Sequence, residues 1–141
     1  MRKIKLSYCK GYYAPIPEDH VFPMRKFEGL HAYLLENYTK KIEIVEPQKA
    51  EKHLLMLNHT EEYVDKVLIG GLSYKEERRM GLPWSPGLAD RSSYAVMGTL
   101  NAARNALKDG VAGNLAVGGD ADCIQGTNRP GRTIPPPHFF A

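Results

Sequence analysis

Short runs of alternating or β-branched residues mark three strands along the chain. Residues 3–8 alternate polar and apolar side chains before a segment rich in glycine and proline, which is typical of a short strand that leads into a loop. Residues 42–45 are mostly β-branched and stop just before a proline, which predicts a second strand. The apolar run over residues 111–117 predicts a third strand that is buried on both faces.

Between these strands, apolar residues recur every three or four positions, which predicts helices. The pattern predicts one helix over residues 23–38, a second over residues 49–58 and a long third one over residues 88–107. Small residues on the long helix would let it pack close to a sheet. Its apolar face is expected at Ala95, Val96, Thr99, Leu100, Ala103 and Leu107.

Two further helices are indicated by their end signals. Thr60 is suited to cap a helix that stops at Gly70, because threonine oxygens accept hydrogen bonds from the first turn and glycine ends helices. Ser73 and Glu76 have the spacing of a capping box, which predicts a turn or two of helix before the loop at 81–87. The order of strands and helices predicts an α/β fold with parallel strands.

Composition and charge narrow the class of protein. The 141 residues are 43% hydrophobic and 25% charged, which fits one globular domain. The formal charge of +3 is too small and too scattered for a protein that binds nucleic acid. No apolar run is long enough for a membrane span or a signal peptide, so we expect neither. We therefore expect a cytoplasmic protein. Cys9 and Cys123 match no metal-binding spacing and are expected to be reduced thiols.

Four segments resemble one protein superfamily. They are PEDHVFPMRKF at 17–27, HTEEYV at 59–64, GLPWSP at 81–86 and GNLAVGG at 113–119. In order and spacing they resemble the N-terminal third of the zinc-dependent histone deacetylase superfamily, specifically its bacterial histone deacetylase family or acetoin-utilisation proteins. The resemblance implies that residues 1–119 are an N-terminal fragment of a three-layer arginase/deacetylase-like α/β domain, with about three parallel strands and flanking helices. Residues 120–141 are a Pro-rich tail outside the resemblance.

The same resemblance implies that the chain lacks the family's catalytic motifs. In the family, the strand similar to residues 113–119 runs into a Thr-His-His-Ala segment, and later Asp-x-His and Asp ligands hold zinc. Here Asp120 to Cys123 follow the strand, no later Asp-x-His exists, and Tyr94 is the last tyrosine. We therefore expect no catalytic residue, no metal ligand and no cofactor. Asp120, Asp122, Cys123 and His138 are ligand types, but their spacing matches no metal site.

Five residues remain as candidates for a substrate channel or its rim. Arg25 resembles the arginine that lines the family's internal product channel, and Pro83 and Trp84 belong to a loop that resembles part of the substrate rim. Asp19 and His20 are candidates for a hydrogen-bonded loop pair beside them. The alternatives are that Arg25 is a solvated helix residue and that Trp84 is an aromatic plug over the core.

Three functions follow from these expectations. The first is a truncated, non-catalytic deacetylase-like protein that acts as an interaction or remnant module. The second is a zinc-dependent deacylase whose site is completed by another subunit, and the third is a small-ligand binding protein.

If the strand order follows the family, residues 3–8 lie between the other two strands and the last strand is a bare edge. A second copy, a swapped segment or the protein's own tail could cover that edge, and we expect a homodimer. We expect Phe139 and Phe140 of the tail to dock in an apolar groove of this chain or of its dimer mate.

Overall fold

A small parallel sheet forms the centre of the protein. The computed structural model describes residues 2–116. Strands β1 (Ile4–Ser7), β2 (Ile42–Val45) and β3 (Ala112–Asn114) form one sheet in the order β2-β1-β3, with both pairs parallel. The predicted α/β class, the parallel pairing and the central position of the first strand are confirmed.

The third strand is shorter than its apolar run predicts. The Leu115 N–H still donates to the Ser7 carbonyl at 3.0 Å, which continues the ladder with β1. The Asn114 side-chain Oδ1 then accepts from the Ala116 N–H at 3.1 Å, and residues 115 and 116 form a turn. This local side-chain bond competes with strand pairing and ends β3 at Asn114, while residue 117 lies outside the described residues.

The first crossover consists of a 3₁₀ turn, Lys10–Tyr12, a long loop and helix α1, Lys26–Tyr38. Helix α1 falls within the predicted 23–38. The next helix, α2 (Lys52–Leu55), is much shorter than the predicted 49–58. The helix ends early because the residues that follow it form turns. The N–H groups of Leu57 and Asn58 donate to carbonyls three residues back, at 3.3 and 3.4 Å.

Helices α3 (Glu61–Ile69) and α4 (Tyr74–Met80) follow, with the predicted end signals. The Tyr63 N–H donates to Thr60 Oγ1 at 3.3 Å, and the Glu76 N–H donates to Ser73 Oγ at 3.2 Å. Gly70 ends α3 in the left-handed region, at φ +93°, which glycine adopts without steric cost. The three caps therefore fix the path of the chain from α3 into α4.

Helix α5 (Pro86–Asp109) is the longest element, and its buried face differs from the prediction. Ser85 caps it, because the Leu88 N–H donates to Ser85 Oγ at 3.0 Å. Ala95 is buried as expected, but Thr99 and Ala103 are exposed and Leu107 is 89% exposed. Val96 and Leu100 are half-buried, so the prediction was wrong for Thr99, Ala103 and Leu107, because the buried residues of the helix all lie between Leu88 and Gly98. The buried residues of the helix are Leu88, Ala89, Arg91, Ser92, Ser93, Ala95 and Gly98.

Helices α1 and α5 cover opposite faces of the sheet. The Tyr8 ring stacks on His31 of α1, with 4.0 Å between ring centroids. The neighbouring Ser7 hydroxyl donates to the Gly98 carbonyl of α5 at 2.9 Å. Since successive side chains of a strand point to opposite faces, the sheet lies between the two helices. No helix within residues 2–116 is both long enough and apolar enough to cross a bilayer.

Candidate functional site

The carboxyl ends of all three strands meet at one edge of the sheet, where a polar network joins β3 to the start of the chain. The Tyr12 hydroxyl donates to Asn114 Oδ1 at 2.7 Å. The Asn114 amide nitrogen donates to the Ala95 carbonyl at 3.0 Å and to Thr99 Oγ1 at 3.1 Å. Burial raises the pKa of Tyr12, so its hydroxyl stays protonated as a donor. In open parallel sheets this edge is where ligands bind.

A buried arginine supports the loop above this edge. Arg91 of α5 is 0% exposed, and its Nε donates to the Tyr12 carbonyl at 2.9 Å. Its guanidinium carbon lies 4.8 Å from the Phe27 ring centroid and 5.9 Å from that of Phe22. The positive charge is therefore placed against the faces of two aromatic rings, which attract cations. Arg91 ties the 3₁₀ turn, the following loop and the start of α1 to α5.

Sequence reasoning missed Tyr12, Asn114 and Arg91. One signal was available for Arg91, because it lies three residues after buried Leu88 and four before buried Ala95, on the buried helical stripe. Asn114 interrupts an otherwise apolar run, which is a second signal. Tyr12 gave none, since its partner Asn114 lies 102 positions further along the chain.

The loop between the 3₁₀ turn and α1 forms an open cavity of about 510 Å³. Two of the predicted site residues, His20 and Arg25, line it together. Asp19 is exposed, and the cavity lining passes from Glu18 to His20 without it. The lining residues are Tyr13, Ile16, Pro17, Glu18, His20, Phe22, Pro23, Met24 and Arg25.

The polar groups of this cavity are oriented by their neighbours. The Phe22 N–H donates to His20 Nδ1 at 3.0 Å, so the neutral imidazole carries its proton on Nε2 and offers a donor there. Arg25 lies 5.5 Å above the Tyr13 ring, and its guanidinium is 3.5 Å from Glu28 Oε1. With the Arg25 side chain 77% exposed, its guanidinium and the His20 N–H give the cavity the donors that a small anion needs.

Pro83 and Trp84 lie in a different place, at the junction of α3 and α4. The Trp84 indole N–H donates to the Val67 carbonyl at 2.6 Å, and the Trp84 backbone N–H donates to Glu77 Oε1 at 2.7 Å. The ring packs so closely on Gly70 that a Cβ there would lie 2.8 Å from it. Pro83 is exposed. Neither residue lines the cavity that holds His20 and Arg25.

Metal-ligand residues are dispersed in the described chain. Among residues 2–116, no group of three His, Cys, Asp or Glu side chains is placed to hold a metal ion. Cys9 is buried as a free thiol, and burial raises its pKa. The ligand-type residues of the tail, Asp120, Asp122, Cys123 and His138, lie outside the described residues, as do Phe139 and Phe140.

A comparison with known proteins finds a relative of the chain. The chain is similar to an uncharacterized protein of Picosynechococcus sp. (strain ATCC 27264 / PCC 7002 / PR-6), with 44% identity over 112 residues. The match covers 79% of this chain but 37% of the relative, so the chain spans little more than a third of the relative's length. No protein-family model matches the chain. The chain is therefore similar to part of a longer protein whose name states no activity.

Proposed function

We propose that residues 1–119 are the first part of an arginase/deacetylase-like α/β domain, and that the chain acts in the cytoplasm as an interaction module without hydrolysing an amide itself. The observation that carries this proposal is the parallel sheet in the order β2-β1-β3. This is the strand order that the four deacetylase-like segments imply. The placement of His20 and Arg25 in one cavity of the loop before α1 adds support.

The lack of hydrolysis is proposed from the chemistry that the reaction needs. A zinc hydrolase requires about three protein ligands for the metal and a base within reach of the bound water. In this sequence Asp120 to Cys123 occupy the place where the family has its histidine pair. Purified protein with added zinc should therefore release no acetate from an acetyl-lysine peptide above the buffer rate. Turnover that a chelator abolishes and zinc restores would favour the second function, a deacylase site completed by another subunit.

The free edge of β3 supports the interaction role. Within residues 2–116, β3 pairs with β1 alone. The Leu115 N–H points to β1, and N–H groups alternate along a strand, so the N–H of Ala112 points away from β1. A second copy of the chain is the proposed occupant of this edge, which gives a homodimer.

Light scattering of the purified protein tests the homodimer. We expect a dimer at micromolar concentration, and a monomer for Ala112→Pro, because proline removes the outward N–H without removing a bond to β1. The melting temperature of Ala112→Pro shows whether its fold is retained. A wild-type monomer at micromolar concentration, or a folded Ala112→Pro variant that remains a dimer, would contradict pairing through β3.

The cavity favours one further candidate function, the binding of a small anion. Arg25 and His20 supply donors, and Tyr13 and Phe22 supply apolar walls. The probe is sodium acetate, followed by thermal denaturation, since a ligand that binds only the folded state raises its melting temperature. We expect a rise for the wild type that Arg25→Gln removes and Asp19→Asn retains. Equal rises of the melting temperature in all three proteins would show that acetate acts through ionic strength and does not bind in the cavity.

A further inference from the structure

Helix α4 separates its charges onto two sides. At about 100° per residue, Tyr74, Arg78, Lys75 and Arg79 follow one another over an arc of about 140°. All four side chains are exposed, and Tyr74 is 75% exposed. We call these four residues the basic face of α4. Its length is about 8 Å along the helix axis, at a rise of about 1.5 Å per residue.

The two glutamates of α4 are on the other side and are engaged there. Glu76 Oε1 lies 3.1 Å from the Lys66 Nζ and accepts from the Ser73 hydroxyl at 3.0 Å. These partners lower the pKa of Glu76 against the opposing effect of its burial, so it stays ionised. Glu77 Oε1 accepts from the Trp84 backbone N–H at 2.7 Å. Both carboxylates are therefore held toward the body of the protein.

The cations of the basic face form no ion pair with a described side chain. Among the side chains that the structure describes, no carboxylate lies within 4.0 Å of Lys75, Arg78 or Arg79. By contrast, Lys66 and Lys52, on neighbouring helices, each contact two carboxylates. Three adjacent uncompensated cations repel one another, so a negatively charged occupant would lower the energy of this surface.

The face also has a shape suited to an occupant. Its four residues line a shallow depression of about 350 Å³. The Arg78 guanidinium carbon lies 5.7 Å from the centroid of the Tyr74 ring, which orients the planar donor group beside an exposed aromatic surface. Tyrosine and arginine are among the residues enriched where the binding energy of protein interfaces is concentrated, and guanidinium groups bind carboxylates through two parallel hydrogen bonds.

We propose that the basic face of α4 is a docking surface for an acidic segment of a partner protein. Carboxylates of that segment pair with Arg78 and Arg79, and an apolar side chain next to them packs on Tyr74. A peptide fits better than a nucleic acid, because three cations over about 8 Å reach few phosphates and affinity for nucleic acid grows with the number of phosphates neutralised. This proposal does not depend on the proposed function, since the face shares no residue with the cavity or the sheet.

The test measures binding of a fluorescent peptide in which a leucine lies next to two consecutive glutamates. We expect Arg78→Gln/Arg79→Gln to weaken its affinity about tenfold at low salt, and Tyr74→Ala to weaken it about threefold. The matched control is Arg104→Gln/Lys108→Gln, which removes the same charge from exposed positions of α5 and should change the affinity less than twofold. Circular dichroism of each variant checks that the fold is retained.

Three outcomes would overturn the proposal. The first is that the wild type does not bind the peptide. The second is that the control variant weakens binding as much as Arg78→Gln/Arg79→Gln, which would make the attraction one of net charge. The third is that single-stranded DNA of mixed sequence binds more tightly than the peptide and loses that affinity in Arg78→Gln/Arg79→Gln, which would assign the face to nucleic acid.

Discussion

The two helices that cover the sheet carry the same residue types in opposite environments. Helix α5 has seven buried residues, among them Arg91 and Gly98, whereas α1 has only Phe27 buried. Arg25 at the start of α1 has a side chain that is 77% exposed, and Gly29 has open space where a Cβ would lie. Arginine and glycine are thus core residues on one face of the sheet and surface residues on the other. Position in the packing, rather than residue type, decides their contribution to stability.

The largest difference is expected between the two arginines. Arg91→Met removes the donor to the Tyr12 carbonyl and the charge above two aromatic rings. We expect it to lower the free energy of unfolding by about 2–4 kcal/mol. Arg25→Met should shift the urea midpoint much less, because the Arg25 side chain is 77% exposed and its ion pair with Glu28 lies at the surface. Equal shifts of the two midpoints would show that α5 is not the more tightly packed helix.

The two glycines should respond to alanine with opposite signs. A Cβ at Gly98 would collide with the Tyr12 hydroxyl and lie 2.8 Å from the Asn114 amide, so Gly98→Ala should cost about 1–3 kcal/mol. Gly29→Ala should raise the free energy of unfolding by about 0.5–1 kcal/mol, because alanine favours the helix and nothing obstructs it. Thermal denaturation of both variants measures the difference. A stabilised Gly98→Ala variant would refute the close contact of α5 with β3.

A smaller effect is expected at the tyrosines. Tyr12→Phe removes a hydrogen bond to Asn114 Oδ1, which still accepts from the Ala116 N–H. The loss should be about 1 kcal/mol. Tyr33 on α1 is 54% exposed, so Tyr33→Phe should change the free energy of unfolding by a few tenths of a kcal/mol at most. Urea titrations of both variants provide the comparison. A Tyr12→Phe variant as stable as the wild type would show that the hydrogen bond from Tyr12 to Asn114 does not contribute to stability.

A further effect is a dependence on pH. Burial lowers the pKa of His59 to about 4, from an ordinary 6.5, and also lowers the pKa of His31 on α1. Below pH 6.5 the unfolded chain therefore binds protons that the folded chain does not, and stability is lost as the pH falls from about 6.5 to 4. Since His59 keeps some contact with solvent, the slope should stay below the ~1.4 kcal/mol per pH unit of one proton.

Variants separate the histidines in this pH range. His59→Gln should flatten the pH dependence of the urea midpoint more than His31→Gln does, because the shift at His59 is large enough to place its pKa near 4. A profile between pH 4 and 6.5 that His59→Gln does not alter would assign the proton uptake to other groups.

Local signals allowed most elements of the fold to be predicted. The three strands and the caps at Thr60 and Ser73 depend on residues a few positions apart, and the structure has them at the predicted places, although β3 is shorter than predicted. The extent of α2 and the buried face of α5 could not be obtained in this way. The face of α5 is set by how closely Gly98 approaches Tyr12 and Asn114, which are distant in the sequence.

The candidate site shows the same division. Resemblance to a family brought Arg25 and His20 to attention, and both line the cavity. It also suggested Trp84, which is held at the α3–α4 junction through Val67 and Glu77. The supporting contact of Arg91 with Tyr12 spans 79 positions, and no pattern of neighbouring residues contains that information.

Trp84 has a further use that follows from its fixed position. It is the one tryptophan in the 141 residues, and its indole nitrogen is bonded to the Val67 carbonyl. Its fluorescence is therefore a native spectroscopic probe of the α3–α4 junction, while far-ultraviolet circular dichroism averages over all helices and strands. Coincident urea transitions by the two methods would show that this junction unfolds together with the sheet. An earlier fluorescence transition would instead identify the α3–α4 corner as an independently opening unit of the protein.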